Sequence, residues 1–431
     1  MDDARATGSP PDAAAAAAPW TCPFCTLLCD GFGVDAQPDG SLRLSGSDCP
    51  RARAGLAQFT ATPDTAATPR INGQPATLDA AVAAAARLLR RSRLPLFGGL
   101  GTDVAGARAL YRLAERSGAV SDHANGPALF TAARALQDRG GFTTTLAEVR
   151  TRADLLVCLT RPSDNFPEFF RRCGVGDTSL LAQRRIVYLG LEPEAALQGL
   201  PGVSVETLPL QGGDLFTTLS VLQALCANRP VPGADAALVD LSEALAAAHY
   251  AVLVWEPARL GGHGALAAES LHQIVNTLNH ATRAASLALG GNDGAGTVQQ
   301  VFTWLSGLPT RTHCSPLGLE HDPLRHDAAL LLARGDVDAL LWVSAFHPVA
   351  APDAGLPTLV LGHPDTPACA AESVFIPVAT PGIGHAGHLF RTDGTVLMPL
   401  RALRGESLPG VAQAVAAITA AFESVERVET A

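Results

Sequence analysis

The segment TCPFCTLLCDGFGVDAQPDGSLRLSGSDCP, residues 21–50, holds four of the nine cysteines in a chain of 431 residues. They are Cys22, Cys25, Cys29 and Cys49, spaced as C-x2-C-x3-C and then, after nineteen residues, C-P. Four thiolates on two short loops suit a [4Fe–4S] cluster, because each sulfur can then bind one iron. The triplet would wrap three corners of the cube and Cys49 would supply the fourth ligand. The sequence therefore predicts an Fe–S-type cysteine domain at residues 21–70.

Two other interpretations of these cysteines stay open. Zinc is also bound by four cysteine thiolates, although zinc sites usually pair two C-x2-C units and this segment contains only one. The thiols could instead carry no metal or form disulfides, because spacing alone does not report whether a site is filled.

Composition limits the class of protein. The length predicts about two to four domains, and a hydrophobic content of 47% allows large cores. Charged residues are sparse and the net charge is −10, which argues against nucleic acid or an anionic membrane as a partner. No uninterrupted apolar run reaches about 18 residues, so no membrane span is predicted.

The chain contains no lysine, and all 31 of its basic residues are arginine. This composition excludes a Schiff-base lysine, a Walker A lysine and a Ser-Lys dyad. Residues 1–20 are predicted to form a disordered tail without the basic start and apolar core of a secretory signal. We therefore expect a cytoplasmic protein, whose thiols remain reduced and can act as ligands.

Beyond the cysteine segment, short apolar runs alternate with helical patterns. The predicted strands are 94–97, 155–159, 186–191, 252–255, 285–289, 340–344 and 359–361. The predicted helices are 78–93, 103–117, 128–138, 215–227, 236–249, 264–280, 325–334 and 410–424. Near-continuous apolar strands between helices are typical of parallel sheets that are covered on both faces. The sequence thus predicts an α/β fold with two doubly wound parallel-sheet domains.

Ligand sites in such sheets lie beyond the carboxyl ends of the strands. The segment Gly98–Thr102 joins a predicted strand to a helix, a form that directs backbone N–H groups at a phosphate, although glycines also serve plain tight turns. Loops after other strands supply further candidates, with ordinary turns as the alternative. The candidate cofactor-binding residues are Gly99, Gly101, Thr102, Asn165, Gly291, Asn292, His347 and Gly384.

The twelve histidines form no H-E-x-x-H or H-x-H metal motif. The stretch 313–326 could bind a metal, with solvated loop histidines as the alternative. Its candidate ligands are His313, Cys314, His321 and His326. The glycine-rich stretch Phe375–Arg391 is interpreted as a ligand-facing loop or a surface turn. No G-x-S-x-G motif occurs, which excludes an α/β-hydrolase.

A cysteine motif ahead of doubly wound domains resembles the molybdopterin oxidoreductase superfamily. Further phrases, spread over roughly nine tenths of the chain, resemble the B-type subunit of formylmethanofuran dehydrogenase in their order and spacing. They are CPFCTLLCD (22–30), NGPALFTAARALQDRGG (125–141), TLAEVRTRADLLVCL (145–159), GGNDGAGTVQQVFTWLSGLP (290–309), GDVDALLWVSAFHP (335–348) and IPVATPGIGHAGHLFRTDG (376–394).

The resemblance also divides the chain into domains. It implies a first, discontinuous α/β domain at residues 71–145 and 285–400, with a second α/β domain inserted at residues 146–284. Residues 401–431 would hold a C-terminal helix, which leaves no room for the C-terminal β-barrel of the long pterin enzymes.

In that family, the B-type subunit holds a [4Fe–4S] cluster and a tungsten or molybdenum pterin guanine dinucleotide. A cysteine or selenocysteine ligates the metal, and a histidine follows it immediately before Gly-Pro. The matching segment here is His123-Ala124-Asn125-Gly126-Pro127. Alanine cannot ligate a metal, asparagine cannot shuttle a proton near neutral pH, and imidazole is a poor substitute for a soft thiolate. The resemblance therefore implies that Ala124 and Asn125 replace the catalytic pair and that the pterin metal centre is absent.

A related branch of the family explains such a loss. In aerobic methylotrophic bacteria, a four-subunit formyltransferase/hydrolase complex moves one-carbon units from formyl-tetrahydromethanopterin to formate on a methanofuran-like carrier, and neither step needs electrons. The resemblance implies a redox-inactive, structural B-type subunit that docks an amidohydrolase-like A-type subunit, a formyltransferase subunit and a C-type subunit. The alternative is an active molybdenum or tungsten formylmethanofuran dehydrogenase with an unusual ligand, which the retained cysteines favour.

Overall fold

The computed structural model describes residues 19–59, 68–368 and 372–429, so the predicted disordered tail lies almost entirely outside the described residues. Strands and helices alternate along most of the chain. The strands are β1 (Gly33–Ala36), β2 (Leu42–Ser45), β3 (Arg70–Ile71), β4 (Gln74–Pro75), β5 (Pro95–Gly101), β6 (Val120–Ser121), β7 (Leu155–Cys158), β8 (Arg184–Leu189), β9 (Val203–Leu208), β10 (Ala251–Trp255), β11 (Ala284–Ala288), β12 (Thr312–Ser315), β13 (Gly318–His321), β14 (Ala339–Ser344), β15 (Thr358–Gly362), β16 (Glu372–Pro377), β17 (Gly387–Phe390) and β18 (Leu397–Leu400). The helices are α1 (Pro50–Leu56), α2 (Leu78–Arg91), α3 (Val104–Ser117), α4 (Gly126–Arg139), α5 (Leu146–Arg152), α6 (Pro162–Asn165), α7 (Phe169–Arg172), α8 (Leu215–Cys226), α9 (Ala236–Ala247), α10 (Gly264–Leu278), α11 (Ala295–Ser306), α12 (Ala328–Arg334) and α13 (Val411–Glu429).

The larger sheet has nine strands in the order β13-β12-β6-β5-β14-β15-β16-β3-β4. Its five central strands, β6 to β16 in this order, are parallel, and the two strands at each edge are antiparallel. Helices α2, α3, α11 and α13 cover one face, where Leu110, Val298 and Val415 belong to the same core as Phe97. Helix α12 covers part of the other face through Leu331. The sheet is therefore buried on both faces, as its apolar strands require.

The smaller sheet has five parallel strands in the order β11-β10-β7-β8-β9. Along β7, Leu155 and Val157 belong to a core with helices α8, α9 and α10, whereas Leu156 and Cys158 belong to the core on the opposite face. This alternation follows from the two-residue period of a strand.

The cysteine segment packs on that opposite face of the smaller sheet. Trp20, Phe24 and Leu27 are almost completely buried in the same core as Leu156. The indole N–H of Trp20 also donates to the Gly382 carbonyl (2.9 Å), which ties the segment to the loop after β16.

The predicted α/β class with two doubly wound parallel sheets is confirmed by this architecture. The boundary predicted at residue 285 falls inside β11, which pairs with β10 in the smaller sheet. Helix α4 also packs against α10, so it accompanies the smaller sheet although the sequence assigned it to the first domain. The short antiparallel strands at the sheet edges were not predicted, because two to four residues carry too little periodicity.

The chain leaves the larger sheet after β6 and returns to the same place at β12. Strands β6 and β12 are antiparallel neighbours, with Val120 opposite His313 and Ser121 opposite Thr312. In the described residues, no helix combines the length and the apolar character needed to span a membrane.

Candidate functional site

The carboxyl ends of β7, β10 and β11 open onto a pocket of about 300 Å³ beside the start of α4. Three candidate cofactor residues, Asn165, Gly291 and Asn292, line this pocket together, and Asn125 lines it from the start of α4. The position agrees with the rule that ligands bind beyond the carboxyl ends of parallel strands. Three of the eight candidate residues thus line one pocket, and their role in binding a cofactor stays a prediction.

Asn292 connects this pocket to the cysteine segment and to α4. Its side-chain oxygen accepts a hydrogen bond from the Thr26 backbone N–H (3.1 Å), and the Thr26 hydroxyl donates to the Gly290 carbonyl (2.8 Å). The Asn292 carbonyl accepts a hydrogen bond from the Asn125 side chain (3.3 Å). Sequence reasoning missed Thr26, because a threonine between two cysteines of the motif carries no signal of its own.

Residue 124 is an exposed alanine and is not among the residues that line the pocket. Its neighbour His123 is 2% exposed, and both of its ring nitrogens have partners. Nδ1 accepts a hydrogen bond from the Asn125 backbone N–H (3.0 Å), and Nε2 lies 3.3 Å from the Asp293 carbonyl, which can only accept. This network places the proton on Nε2. Burial lowers the pKa of His123 to about 4, so the ring is neutral near pH 7.

Residues 123 and 124 offer no thiolate to a metal centre. The family resemblance implies a cysteine or selenocysteine ligand at position 124. The Ala124 methyl group cannot act as one, and the His123 ring is occupied on both nitrogens. Among the described residues, none that lines the pocket is a cysteine. The position therefore lacks a protein ligand for such a metal.

A buried carboxylate forms part of the pocket wall. Glu256 is 3% exposed, and its Oε2 accepts a hydrogen bond from Asn165 Nδ2 (2.7 Å). Thr160 and the positive charge of Arg259, whose Nε lies 3.7 Å from Oε2, also stabilise the ionised carboxylate. Burial raises the pKa of Glu256, although the bond from Asn165 opposes this effect.

Sequence reasoning also missed Glu256, for a reason that can be identified. The residue directly follows the predicted strand 252–255, and no candidate residue was predicted in the loop after that strand. The same strand-end rule that selected Asn165 and Asn292 would have selected it.

Three of the other candidate residues are packed inside the larger sheet. Gly99 has φ of +72°, and a Cβ there would lie 2.6 Å from the Val343 carbonyl of β14. A Cβ at Gly101 would lie 3.2 Å from the same oxygen, and Thr102 is fully buried. The glycines of this turn therefore permit close approach of β5 to β14, which accounts for them without a phosphate.

The last two candidates, His347 and Gly384, lie at the carboxyl edge of the larger sheet but do not line the pocket. His347 Nε2 is 3.3 Å from Asp293 Oδ1, and its Nδ1 contacts Gln58 at 3.0 Å. Burial raises the pKa of Asp293, but the bond from His347 and the positive charge near it outweigh burial and hold the pKa below its usual value. Gly384 packs against the Glu406 carboxylate, where a side chain would collide.

The four predicted metal ligands of the cysteine segment are buried and free of disulfide bonds. The Cys22 N–H donates to the Cys29 carbonyl (2.9 Å), and the Leu28 N–H donates to the Cys25 carbonyl (3.0 Å). These bonds fold the triplet into a tight loop, and Cys49 lies in the same core immediately before α1. The structure therefore gathers the four residues that the spacing selected.

The separation of the sulfurs bears on which metal they suit. A Zn–S bond of about 2.3 Å places the sulfurs of a tetrahedral site about 3.8 Å apart. Within the described part of the chain, no three of these cysteines bring their sulfurs within 4.8 Å of one another. A cubane cluster needs wider spacing, because each thiolate binds a different iron. The choice between a cluster and a zinc ion at these cysteines stays a prediction.

The charges around the cysteines match an anionic group. Burial raises the pKa of Cys25 to about 11 and that of Cys29 to about 12, so the metal-free thiols are neutral. Arg51 opposes this effect at Cys25, and Arg172 opposes it at Cys29. Since a cluster with four thiolates carries net negative charge, these guanidinium groups would stabilise it. Arg51 also donates to the Asn165 carbonyl (3.3 Å), which links the cysteine site to the pocket.

Comparison with known proteins places these features in a family. No protein-family model matches the chain. It is 33% identical over 278 residues to the B-type subunit of the formyltransferase/hydrolase complex Fhc of Methylorubrum extorquens, covering 64% of this chain and 74% of that protein. It is 25% identical over 407 residues to the B-type subunit of the tungsten-containing formylmethanofuran dehydrogenase 2 of Methanocaldococcus jannaschii, covering 86% of this chain and 90% of that protein.

Solved structures agree with this placement. The crystal structure of the formyltransferase/hydrolase complex (FhcABCD) of Methylorubrum extorquens with methylofuran contains a chain that superposes with a TM-score of 0.74 and 29% identity, over 83% of this chain and 99% of that one. Acetylene hydratase from Pelobacter acetylenicus superposes with a TM-score of 0.63 and 11% identity, over 94% of this chain and 69% of that one.

The two sheets and the cysteine segment define a protein of the molybdopterin-oxidoreductase-like fold. Within that class, the chain belongs to the family formed by the B-type subunits of the formyltransferase/hydrolase complex and of formylmethanofuran dehydrogenase.

Proposed function

We propose that this chain is the structural, redox-inactive B-type subunit of a cytoplasmic formyltransferase/hydrolase complex in tetrahydromethanopterin-linked one-carbon metabolism. The similarity to the corresponding subunit of the Methylorubrum extorquens complex supports the assignment. Its partners are then an amidohydrolase-like A-type subunit, a formyltransferase subunit, a C-type subunit and a methanofuran-like carrier. The structure of that relative's complex contains methylofuran, which supports a carrier of this kind.

The observation that carries the redox-inactive part of the proposal is the pair of residues at 123 and 124. A metal centre of the dehydrogenase type needs a thiolate here, and Ala124 provides none. His123 is a poor replacement, because one ring nitrogen accepts the Asn125 N–H and the other donates to the Asp293 carbonyl. To ligate a metal, His123 would have to break a buried hydrogen bond at a cost of about 1–3 kcal/mol.

The cysteine segment retains the residues for a [4Fe–4S] cluster. Cys22, Cys25, Cys29 and Cys49 would hold it, and when bound it would cross-link residues 22–49 and could carry one electron. The chain's own residues prepare the site: the cysteine loop is closed by backbone hydrogen bonds, and Arg51 anchors it to the Phe24 carbonyl (3.1 Å). The cluster would thus stabilise the face that the cysteine segment covers.

Metal analysis of the anaerobically purified complex tests the proposal. We expect about four iron atoms per chain for a cluster and no molybdenum or tungsten. The analysis should also quantify zinc and pterin, because zinc in place of iron would replace the cluster while leaving the redox-inactive assignment intact. Molybdenum or tungsten near one per chain, with pterin, would overturn the proposal.

The retained cysteines favour one alternative, an active formylmethanofuran dehydrogenase, since a cluster beside a pterin centre relays electrons. The discriminating assay is viologen-linked oxidation of the formylated carrier by the purified complex. We expect no viologen reduction, together with formate release from the formylated carrier. Viologen reduction that depends on this chain would establish the dehydrogenase.

A further inference from the structure

The structure assigns a divalent transition-metal site to His313, Glu320 and His326, on the edge hairpin of the larger sheet. Each residue offers one ligand atom, and the three atoms lie within 4.8 Å of one another. The site belongs to the nine-stranded sheet, whereas the cysteine segment packs on the smaller sheet. It therefore stands independently of the proposed function.

The β12–β13 hairpin brings two of the ligands together. His313 of β12 is directly opposite Glu320 of β13, and His313 Nδ1 lies 3.6 Å from Glu320 Oε2. Zn–N and Zn–O bonds of about 2.1 Å place two ligand atoms of a tetrahedral ion roughly 3.4 Å apart. The pair is therefore already close to the separation that a shared ion requires.

His326 supplies the third ligand from a loop whose shape is fixed by its own hydrogen bonds. The Asp322 carboxylate accepts bonds from the Leu324 and Arg325 N–H groups (both 2.9 Å), and the Asp322 carbonyl accepts the His326 N–H (3.0 Å). Nδ1 of His326 lies 3.2 Å from the Arg311 carbonyl, to which it donates. This bond leaves Nε2 with a free lone pair, the arrangement that metal-ligating histidines commonly use.

The donor set identifies the class of ion. Two imidazole nitrogens and one carboxylate suit zinc and its transition-metal neighbours, whereas magnesium and calcium prefer oxygen ligands throughout. Glu320 is 57% exposed and His313 is 21% exposed, so an ion can enter from solvent and the carboxylate can adjust its position. Three protein ligands leave a fourth position for water.

Sequence reasoning named His313, Cys314, His321 and His326 as candidate ligands in this stretch. The structure keeps the first and the last and adds Glu320. Cys314 points into the core under α3, and His321 Nδ1 bonds to the Arg311 carbonyl (3.1 Å) without joining the group of three. Glu320 joins the ligand group because it pairs with His313 across the two strands, and sequence spacing does not show this pairing.

Zinc binding by the full-length chain tests this site. Chain freed of metal by a chelator is titrated with zinc chloride, and bound zinc is compared between the wild type and Glu320→Gln. Glu320 is mostly exposed, so this variant keeps the fold and loses only the anionic ligand. We expect the variant to bind this equivalent of zinc at least about 100-fold more weakly, and His313→Ala to lose it.

His280→Ala is the matched control, because His280 is an exposed histidine at the end of α10. The His280→Ala variant should bind as much zinc per chain as the wild type. Zinc bound by the cysteines contributes equally to every variant, because all variants retain these cysteines. Zinc should also raise the melting temperature of the wild type more than that of Glu320→Gln. Equal affinity and stoichiometry in the wild type, Glu320→Gln and His313→Ala would refute the site.

Discussion

Thr26 and Asn292 join the cysteine segment to the loop that lines the pocket, with the Thr26 N–H 3.1 Å from the Asn292 side-chain oxygen. The Thr26 hydroxyl adds a bond to the Gly290 carbonyl in the same loop (2.8 Å). Because these residues are separated by more than 260 positions in sequence, the contact orients two distant parts of the fold. The cysteine site and the pocket are therefore one connected structure.

Thr26→Val should weaken this connection. Valine keeps the shape of threonine but removes the hydroxyl that donates to the Gly290 carbonyl, so we expect a loss of about 1 kcal/mol in the free energy of unfolding. Urea denaturation measures this loss, and Thr26→Ser, which keeps the hydroxyl, should fall much closer to the wild type. Equal stability of Thr26→Val and wild type would show that the bond contributes nothing.

Cys25→Ser should remove the cluster. One of four thiolate ligands is lost, so we expect iron to fall from about four atoms per chain to below one, with a lower unfolding midpoint. Iron analysis and thermal denaturation of the complex measure both effects. Cys226→Ser is the control, because Cys226 lies on α8 away from the cysteine segment and should leave iron unchanged. Unchanged iron in Cys25→Ser would remove this cysteine from the ligand set.

Arg184→Lys should be strongly destabilising, although it conserves charge. Arg184 is 4% exposed, and its guanidinium donates to four carbonyls. They belong to Val149, Arg150, Ala153 and Cys173. An ammonium cannot reproduce this fork, so we expect a loss of about 2–4 kcal/mol. Urea denaturation is the measurement, with Arg134→Lys on the exposed surface of α4 within about 0.5 kcal/mol of wild type. A loss of stability within about 0.5 kcal/mol for Arg184→Lys as well would contradict the prediction.

Acid should destabilise the fold through His123. Burial lowers its pKa from 6.5 to about 4, so between these values the unfolded chain binds a proton that the folded chain does not. The free energy of unfolding therefore falls as pH decreases from 6.5 to about 4, by up to roughly 3 kcal/mol from this residue. Denaturant midpoints across this range measure the slope.

His123→Gln should show a shallower pH dependence than the wild type, because glutamine takes up no proton. The exposed His280→Gln should keep the wild-type slope. If His123→Gln were as sensitive to acid as the wild type, the pH dependence would have to come from other groups, such as His363, whose pKa burial also lowers to about 4.

The sequence predicted the parallel sheets well, because strands such as β7 and β14 are apolar on both faces and stand between clear helices. It also selected four cysteines that share one core, because they lie in one short segment, and their metal binding stays a prediction. The strand-end rule selected Asn165 and Asn292, which line one pocket, and their binding role stays a prediction. Glu256 was missed although the rule covers it.

Other residues could not be assigned from sequence. A glycine such as Gly99 is required equally by a phosphate cradle and by two strands in close contact, and only the position of the Val343 carbonyl separates these cases. One partner of His123, the Asp293 carbonyl, lies 170 positions away in sequence, and the other, the Asn125 N–H, depends on the local turn. The hydrogen bonds of the two ring nitrogens therefore could not be predicted from the sequence. Cross-strand neighbours such as Glu320 depend on register, which the pattern of this short hairpin does not specify.

Because β6 and β12 are neighbours, the chain leaves the larger sheet and returns to it at adjacent strands. Residues 122–311 form an excursion that begins and ends at adjacent, hydrogen-bonded strands, and within it α11 returns to pack in the core of the larger sheet. The entropy of closing such a loop grows slowly, by about 0.6 kcal/mol for each doubling of its length. The smaller sheet could therefore gain or lose residues, and its pocket could change ligand, with little thermodynamic penalty to the sheet from which it emerges.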